Sequence, residues 1–365
     1  MTKPLRILQV VGILNCGGAE SMIMNLYRSM DREEVQFDFI VHTNEEGMYD
    51  KEVNELGGKI YHCPKFSGKN IISYRNWWKK FFKEHPEYKI LHSHIRSCAS
   101  IYFTIAARFG VKTIIHSHST SNGEGFSSIV KKILQFPLRY HADYLMACSK
   151  KAGIWLYGER ACNSEKYIFL PNAVDLEKYQ IDEQLRKTYR TDLGLEGKIV
   201  YGHIGRFHES KNHPFLLETF AKIHNENENT ILLLIGDGEL RDMVEETIQK
   251  YNLENSVILL GLRRDVDKLL QAIDVLLFPS VWEGLPVTVI EAQAAGVPCI
   301  ISDNITTDVD VTELVHRLPI TDTTKWKELA LSGLQRIDVS SKVKDSGFDV
   351  KESAKKLALF YKKIV

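Results

Sequence analysis

The chain has 365 residues, long for one domain and comfortable for two. Apolar residues make up 44% and charged residues 26%, close to ordinary globular usage, which excludes a wholly disordered chain or a coiled coil. Lys+Arg and Asp+Glu both number 47, so the formal net charge is zero and nothing marks the whole chain as a nucleic-acid binder.

In chain order, short β-branched apolar runs alternate with longer amphipathic stretches. Residues 5–11 predict a buried strand, followed by a Gly-Gly pair and a helix over about 19–30. Residues 37–42, 59–62, 90–94, 113–116 and 144–148 continue the strand series. Helical patterns lie between them, for example over 77–83 and 129–140. Strands separated by helices predict a parallel sheet covered on both faces. The pattern then restarts. Residues 168–175 give a strand with a turn, and a polar, helix-prone link runs to about Gly197. A second series opens at 198–204 and continues with 230–235, 257–260, 275–278 and 297–301. The expected fold class is α/β, with two Rossmann-like, doubly wound parallel-sheet domains facing across a cleft. The expected divisions are 1–175, 176–345, and a C-terminal helix within 346–365 that packs back on one half.

Six cysteines, Cys16, Cys63, Cys98, Cys148, Cys162 and Cys299, form no C-x-x-C pair and no zinc-like spacing. Most sit in apolar stretches, as reduced, buried thiols of a cytoplasmic protein do. The first residues run straight into a strand, with no long apolar stretch and no small-residue cleavage site, so no signal peptide is read. Nowhere do about 18 apolar residues follow one another, so no spanning helix is expected. Charge is uneven along the chain: residues 1–175 hold 23 Lys+Arg against 17 Asp+Glu, and the remainder 24 against 30. A basic half can steer anionic ligands or rest on an anionic membrane; chance surface variation explains the asymmetry equally well.

Ligands of parallel α/β sheets bind beyond the carboxyl ends of the strands, and the chemistry-bearing residues cluster there. Gly12-Ile-Leu-Asn-Cys-Gly-Gly-Ala-Glu20 joins the first strand to the first helix. Adjacent glycines let backbone approach a ligand, and a helix start favours anions, although a tight turn explains the pair equally well. The pattern is not G-x-G-x-x-G, so a dinucleotide site is not indicated. Gly205-Arg-Phe-His-Glu-Ser-Lys211 follows the first strand of the second half. Arg206 can grip two phosphate oxygens and Lys211 acts as a point charge; a solvated basic loop is the plainer alternative. The most informative segment runs from Ser280 to Pro298. There, Glu283 lies in a loop, a helix is expected to begin with Pro286 at its first position, and Glu291 lies about two turns on. Free N–H groups of Val287 and Thr288 suit phosphate oxygens, and each carboxylate can accept two hydroxyl hydrogens. His92/His94 and His116/His118 are two His-Ser-His motifs at strand ends, where period-2 geometry puts each pair on one face. Four imidazoles can hold a transition metal. No carboxylate motif or cysteine accompanies them, so a substrate hydrogen bond with structural neighbours is the favoured reading and no metal site is expected.

At these clusters the chain resembles the family-4 retaining glycosyltransferases of bacterial capsule and exopolysaccharide type, which have the two-domain GT-B fold. The family's G-G-A-E-like loop matches Gly17-Gly18-Ala19-Glu20, its Arg-x4-Lys clamp matches Arg206 and Lys211, and its E-x7-E signature matches Glu283 and Glu291. The order and separation of the three are more specific than any one alone. The resemblance implies that Arg206 and Lys211 stabilise a leaving diphosphate, that Glu283 contacts the donor sugar and that Glu291 holds ribose hydroxyls. It implies backbone contacts from Leu285, Val287 and Thr288 to sugar and phosphates, and a place for His118 against the donor sugar. Gly236-Asp-Gly238 and Gly261-Leu262 resemble the loops around the nucleoside, with Leu262 near the base. Pro286 stands where many relatives have Gly, Ala173 where the hinge segment often has Gly, and Asp303-Asn-Ile-Thr-Thr-Asp308 replaces the usual G-G-x-x-E.

The resemblance implies a retaining transfer of a hexose or N-acetylhexosamine from a nucleotide-diphosphate sugar, with uridine favoured. The acceptor would be a saccharide or polyprenyl-diphosphate-linked molecule, with no cofactor and no metal beyond the nucleotide-sugar co-substrate. A nucleotide-sugar 2-epimerase and a non-catalytic sugar-nucleotide binding protein are the alternatives. Segments 77–83 and 130–139 mix basic with aromatic or apolar residues, which suits either peripheral contact with anionic membrane at its inner face or simple core packing.

Overall fold

The computed structural model describes residues 3–15, 17–118 and 126–365, with side chains in the last stretch from 131 on. The chain divides into two compact units, Met1–Ala173 with Asp349–Val365, and Val174–Phe348.

The first unit is built on seven parallel strands: β1 (Leu5–Val11), β2 (Val35–Val41), β3 (Ile60–His62), β4 (Ile90–Ser93), β5 (Lys112–Ser117), β6 (Tyr144–Ala147) and β7 (Tyr167–Phe169). Their order is β3-β2-β1-β4-β5-β6-β7. Alternation along β1 sends Ile7 and Val11 into one core, and Leu8 and Val10 into the other. On the first face lie the helices Gly18–Ser29 and Val350–Ile364, which contact each other. The second of these buries Val350, Ala354, Leu357, Ala358, Tyr361 and Ile364, a stripe at helical spacing. Its Lys362 pairs with Glu34 at 2.6 Å. The other face carries the helices Ile71–Glu84 and Ala99–Ala106, with Trp78 stacked on Tyr102 at 4.4 Å.

Two expectations for membrane-facing segments resolve differently. In the helix Ile71–Glu84 the aromatic side is core, because Trp78, Phe81 and Phe82 are buried. The single helix expected over 129–140 is two, Phe126–Gln135 and Leu138–His141. Pro137 has no N–H to continue the first and instead stands before the second. Here Ile133, Phe136 and Tyr140 are exposed. No described helix is long and apolar enough to cross a membrane. Cys63, Cys98, Cys148 and Cys299 are buried free thiols and Cys162 is half-buried; Cys16 lies outside the described residues.

The second unit holds six parallel strands: β8 (Ile199–Ile204), β9 (Thr230–Ile235), β10 (Val257–Gly261), β11 (Val275–Phe278), β12 (Cys299–Ser302) and β13 (Val315–Leu318). The order is β10-β9-β8-β11-β12-β13. The chain thus fills the sheet outward from β8 in one direction and then resumes beside β8 in the other. β8 and β11 are neighbours at that reversal, and the position beyond their carboxyl ends is the usual ligand position in such sheets. β13 was not expected from the sequence, since Val-His-Arg-Leu is short and only half-buried along its length. The strand expected at 297–301 begins at Cys299, because Pro298 lacks the N–H a ladder needs.

Candidate functional site

In the second unit, the β8 and β11 loops meet at the reversal. Lys211 Nζ lies 2.7 Å from Glu283 Oε1, with only 14% and 16% of the two side chains exposed. The ammonium also sits 4.5 Å above the ring centre of buried Phe278, the last residue of β11. Val281 N–H donates to Ser210 O at 2.7 Å, tying the two loops together beside the ion pair.

Glycines make this packing possible. A Cβ on Gly205 would come 2.8 Å from Lys211 Cε. Gly236, the residue after β9, has φ +143° and a Cβ there would overlap the carbonyl oxygen of Gly205. An L side chain is excluded on both counts. Arg206 is largely exposed and pairs with Glu239 at 2.9 Å, on the side of the β9 loop. The two cations therefore hold different acids: Lys211 inward on Glu283, Arg206 outward on Glu239.

The helix after β11 spans Val287–Ala294, with Pro286 in the cap position at φ −74° and ψ 97°. This corrects the expected start by one residue. With its ring-locked φ and extended ψ, Pro286 closes the preceding loop and leaves Val287 as the first helical residue. The N–H groups of Val287 and Thr288 thus belong to the first turn and have no partner within the helix. Both residues are half-buried, and Leu285 is buried. Glu291 hydrogen-bonds Tyr179; burial, reinforced by the charge of Asp267, pushes its carboxyl up to about 6 against the Tyr179 bond. Leu262 projects from the end of β10 with 78% of its surface exposed.

In the first unit, Gly17 caps the helix Gly18–Ser29, and a Cβ on it would collide with the Glu20 carboxylate. Burial raises the Glu20 carboxyl above its ordinary range. His92, His94, His116 and His118 assemble on the sheet face that also carries Gln9. Register puts Gln9 opposite His92, and β5 brings His116 alongside. His94 Nδ1 is 2.8 Å from His118 Nε2, and His94 Nε2 is 2.9 Å from Gln9 Oε1. His92 Nδ1 is 2.6 Å from Tyr361 Oη. Burial first, then the neighbouring imidazoles and Arg96, hold His118 well below the ordinary histidine range. The same burial keeps His92, His94 and His116 neutral. A neutral His118 accepts or donates a hydrogen bond and carries no charge.

Sequence reasoning missed Glu239, Tyr179 and Phe278. Glu239 directly follows Gly236-Asp-Gly238, so its place in a loop was readable, but its pairing with Arg206 was not. Tyr179 lies in the turn Leu176–Tyr179, over a hundred residues before Glu291, and no local pattern announces that contact.

Residues 16–178 match the family profile described as Glycosyltransferase Family 4, and residues 186–332 match Glycosyl transferases group 1. The chain is 36% identical over 324 residues to a putative glycosyltransferase EpsF of Bacillus subtilis (strain 168), covering 87% of this chain and 84% of that protein. It is 32% identical over 249 residues to an Escherichia coli UDP-Gal:alpha-D-GlcNAc-diphosphoundecaprenol alpha-1,3-galactosyltransferase, covering 64% and 62%. In fold it is similar to Anabaena Alr3699/HepE, solved in complex with UDP, with a TM-score of 0.80 at 17% identity over 99% and 100% of the two chains. WaaG, a glycosyltransferase involved in lipopolysaccharide biosynthesis, aligns with a TM-score of 0.71 at 15% identity over 96% and 95%.

Proposed function

This chain belongs to the glycosyltransferase family with the GT-B fold, and we propose that it moves a hexose or N-acetylhexosamine from a uridine-diphosphate sugar to a saccharide or polyprenyl-diphosphate-linked acceptor, with retention at the anomeric carbon. The observation that carries the reading is the inward pair Lys211–Glu283 beside the open first turn at Val287 and Thr288. A cation, a carboxylate and unpaired N–H groups there offer one group to a diphosphate, one to sugar hydroxyls and the rest to phosphate oxygens. The printed activity of the Escherichia coli relative, with a UDP-galactose donor and a diphosphoundecaprenol acceptor, supports the donor and acceptor classes. Uridine diphosphate bound to the Anabaena neighbour supports the nucleotide.

In this mechanism, negative charge grows on the diphosphate as its bond to the anomeric carbon breaks. Lys211 leaves Glu283 for the phosphate, Arg206 leaves Glu239, and the helix start at Val287 adds fixed dipoles where the charge develops. Glu283, released, accepts hydrogens from the sugar hydroxyls. Glu291 holds the ribose and exposed Leu262 lies against the base. In the first unit, Gly17 and Gly18 open the strand-to-helix turn to a ligand's approach, and neutral His118 can hydrogen-bond a hydroxyl group. The acceptor hydroxyl enters from the face the diphosphate leaves, and its proton passes to the departing phosphate oxygen. The cations occupy the place a divalent ion takes in other nucleotide-sugar chemistry, so the step proceeds without one. Peripheral membrane contact through Ile133, Phe136 and Tyr140, beside Lys132, suits a lipid-linked acceptor. Vesicles containing anionic lipid, sedimented at low salt, would retain the wild type and release a Phe136→Asp variant; equal retention would remove the membrane from the account.

Incubation with a series of nucleotide sugars, with and without a lipid-linked acceptor, tests the function. Transfer demands both substrates. Conversion of the donor alone to its 2-epimer would replace the proposal with an isomerase, and binding without turnover on any acceptor would replace it with a binding protein.

A further inference from the structure

We propose that His92, His94 and His116 form a binding site for a single zinc-class divalent ion. The site lies within the first unit, and the argument for it is independent of the sugar-transfer reading. One ligand nitrogen from each of these residues lies within 4.8 Å of the others. Three nitrogens around a zinc ion stand about 3.3 Å apart at bond lengths of about 2.0–2.1 Å, so small side-chain rotations close the set.

Unpaired nitrogens point to a missing ligand. His116 is fully buried and neither of its ring nitrogens has a hydrogen-bond partner of normal geometry, although the Leu170 backbone is near enough to favour its protonated form. His92, 2% exposed, has Nε2 unpaired as well. Buried polar atoms are usually satisfied, and one ion would satisfy one nitrogen on each ring.

The outer contacts suit ligation. A metal-bound imidazole donates its other N–H to an acceptor, which selects the tautomer. Tyr361 Oη stands 2.6 Å from His92 Nδ1, and this leaves Nε2 as the ligating atom. Gln9 Oε1 stands 2.9 Å from His94 Nε2, and this leaves Nδ1. The Nδ1 atom of His94 is also the one in contact with His118 Nε2, so an ion bound there takes the place of that hydrogen bond. Water then completes the coordination, and His118, released from His94, stays outside the set.

The donor set fixes the chemical class. Three neutral imidazoles favour zinc, cobalt, nickel or copper over magnesium or calcium, which demand oxygen. Neither sequence motif alone assembles this trio. It arises because parallel β4 and β5 lie side by side and carry His-Ser-His at adjacent levels.

The test titrates chelator-treated, desalted full-length protein with Co2+ and follows the visible absorption of the cobalt ion, with Zn2+ then added to displace it. Wild type is expected to bind one equivalent with the intense bands of a four-coordinate site, bleached by zinc. His92→Gln, which keeps a polar partner for Tyr361, should weaken binding by at least tenfold, and His116→Phe should abolish it. His141→Ala, at an exposed position, should leave it unchanged. Circular dichroism checks that each variant is folded. If His116→Phe does not fold, the wild-type stoichiometry and His92→Gln decide. Absence of one-to-one binding in wild type, or binding that His92→Gln leaves unaltered, would overturn the site.

Discussion

Replacing Lys211 separates its two tasks. In Lys211→Met the Glu283 carboxylate loses the Lys211 ammonium while remaining 84% covered. Breaking a largely buried pair from one side costs about 3–5 kcal/mol, against about 0–1 kcal/mol for an exposed one. The packing of Nζ on Phe278 adds about 0.5–2 kcal/mol to what is lost. For a unit of this size each kcal/mol lowers the melting temperature by about 2–4 °C. A second substitution, Glu283→Gln, removes the largely covered negative charge, so Lys211→Met/Glu283→Gln should regain most of the stability. Turnover must not follow. Loss of one group that stabilises developing charge costs about 10²–10³ in rate, and the double variant lacks both the cation and the sugar-binding acid. Thermal unfolding paired with single-turnover donor consumption reads both quantities on the same samples. Recovery of turnover together with stability in the double variant would refute the clamp, since Lys211 would then be merely structural. Wild-type turnover in Lys211→Met would do so as well.

Three further outcomes follow from the geometry. Glu291 titrates at about 6, raised from 4.5 by burial, so below about pH 6 it loses an acceptor for ribose hydroxyls. Nucleotide affinity should fall as pH drops through 6 in wild type and stay flat in Glu291→Gln; a parallel fall in both would assign the pH dependence elsewhere. The same raised carboxyl binds its proton more tightly folded than unfolded. Its contribution to stability is therefore present below pH 4.5 and lost as pH rises through about 6, which thermal melts against Glu291→Gln should register. Gly236→Ala adds a Cβ at φ +143° into the Gly205 carbonyl and should cost more than Gly261→Ala, where space is open at φ +64° and the cost is about 1–2 kcal/mol. Equal melting temperatures for the two would remove the close approach of the β8 and β9 loops.

Much of the architecture was legible because a buried parallel strand leaves a plain trace. The run Leu5–Val11 and the run Thr230–Ile235 are apolar enough on both faces to be read residue by residue. β13 escaped because an edge strand need not be apolar: Val315–Leu318 is half-buried throughout and carries His316 and Arg317. Periodicity located the aromatic helix Ile71–Glu84 but left its destination open, and burial of Trp78, Phe81 and Phe82 settles it as core.

At the site, local motifs named the right loops and left their partners unnamed. Strand-then-loop position singled out Lys211 and Glu283 separately, and only the sheet order makes β8 and β11 neighbours. The cap at Pro286 shifted by one residue because proline's fixed φ suits the cap and the first helical position equally. Contacts such as Glu291 with Tyr179, and His92 with Tyr361, join residues far apart in the chain, where no spacing rule reaches.

The central claim is that protein cations alone carry the departing diphosphate while the new bond forms on the same face. Proton NMR of the product anomeric centre, with an α-linked uridine-diphosphate sugar, a lipid-linked acceptor and excess EDTA, tests both halves at once. The account predicts an α-linked product formed at the rate seen without chelator. A β-linked product, or activity lost in EDTA and restored by magnesium, would contradict it.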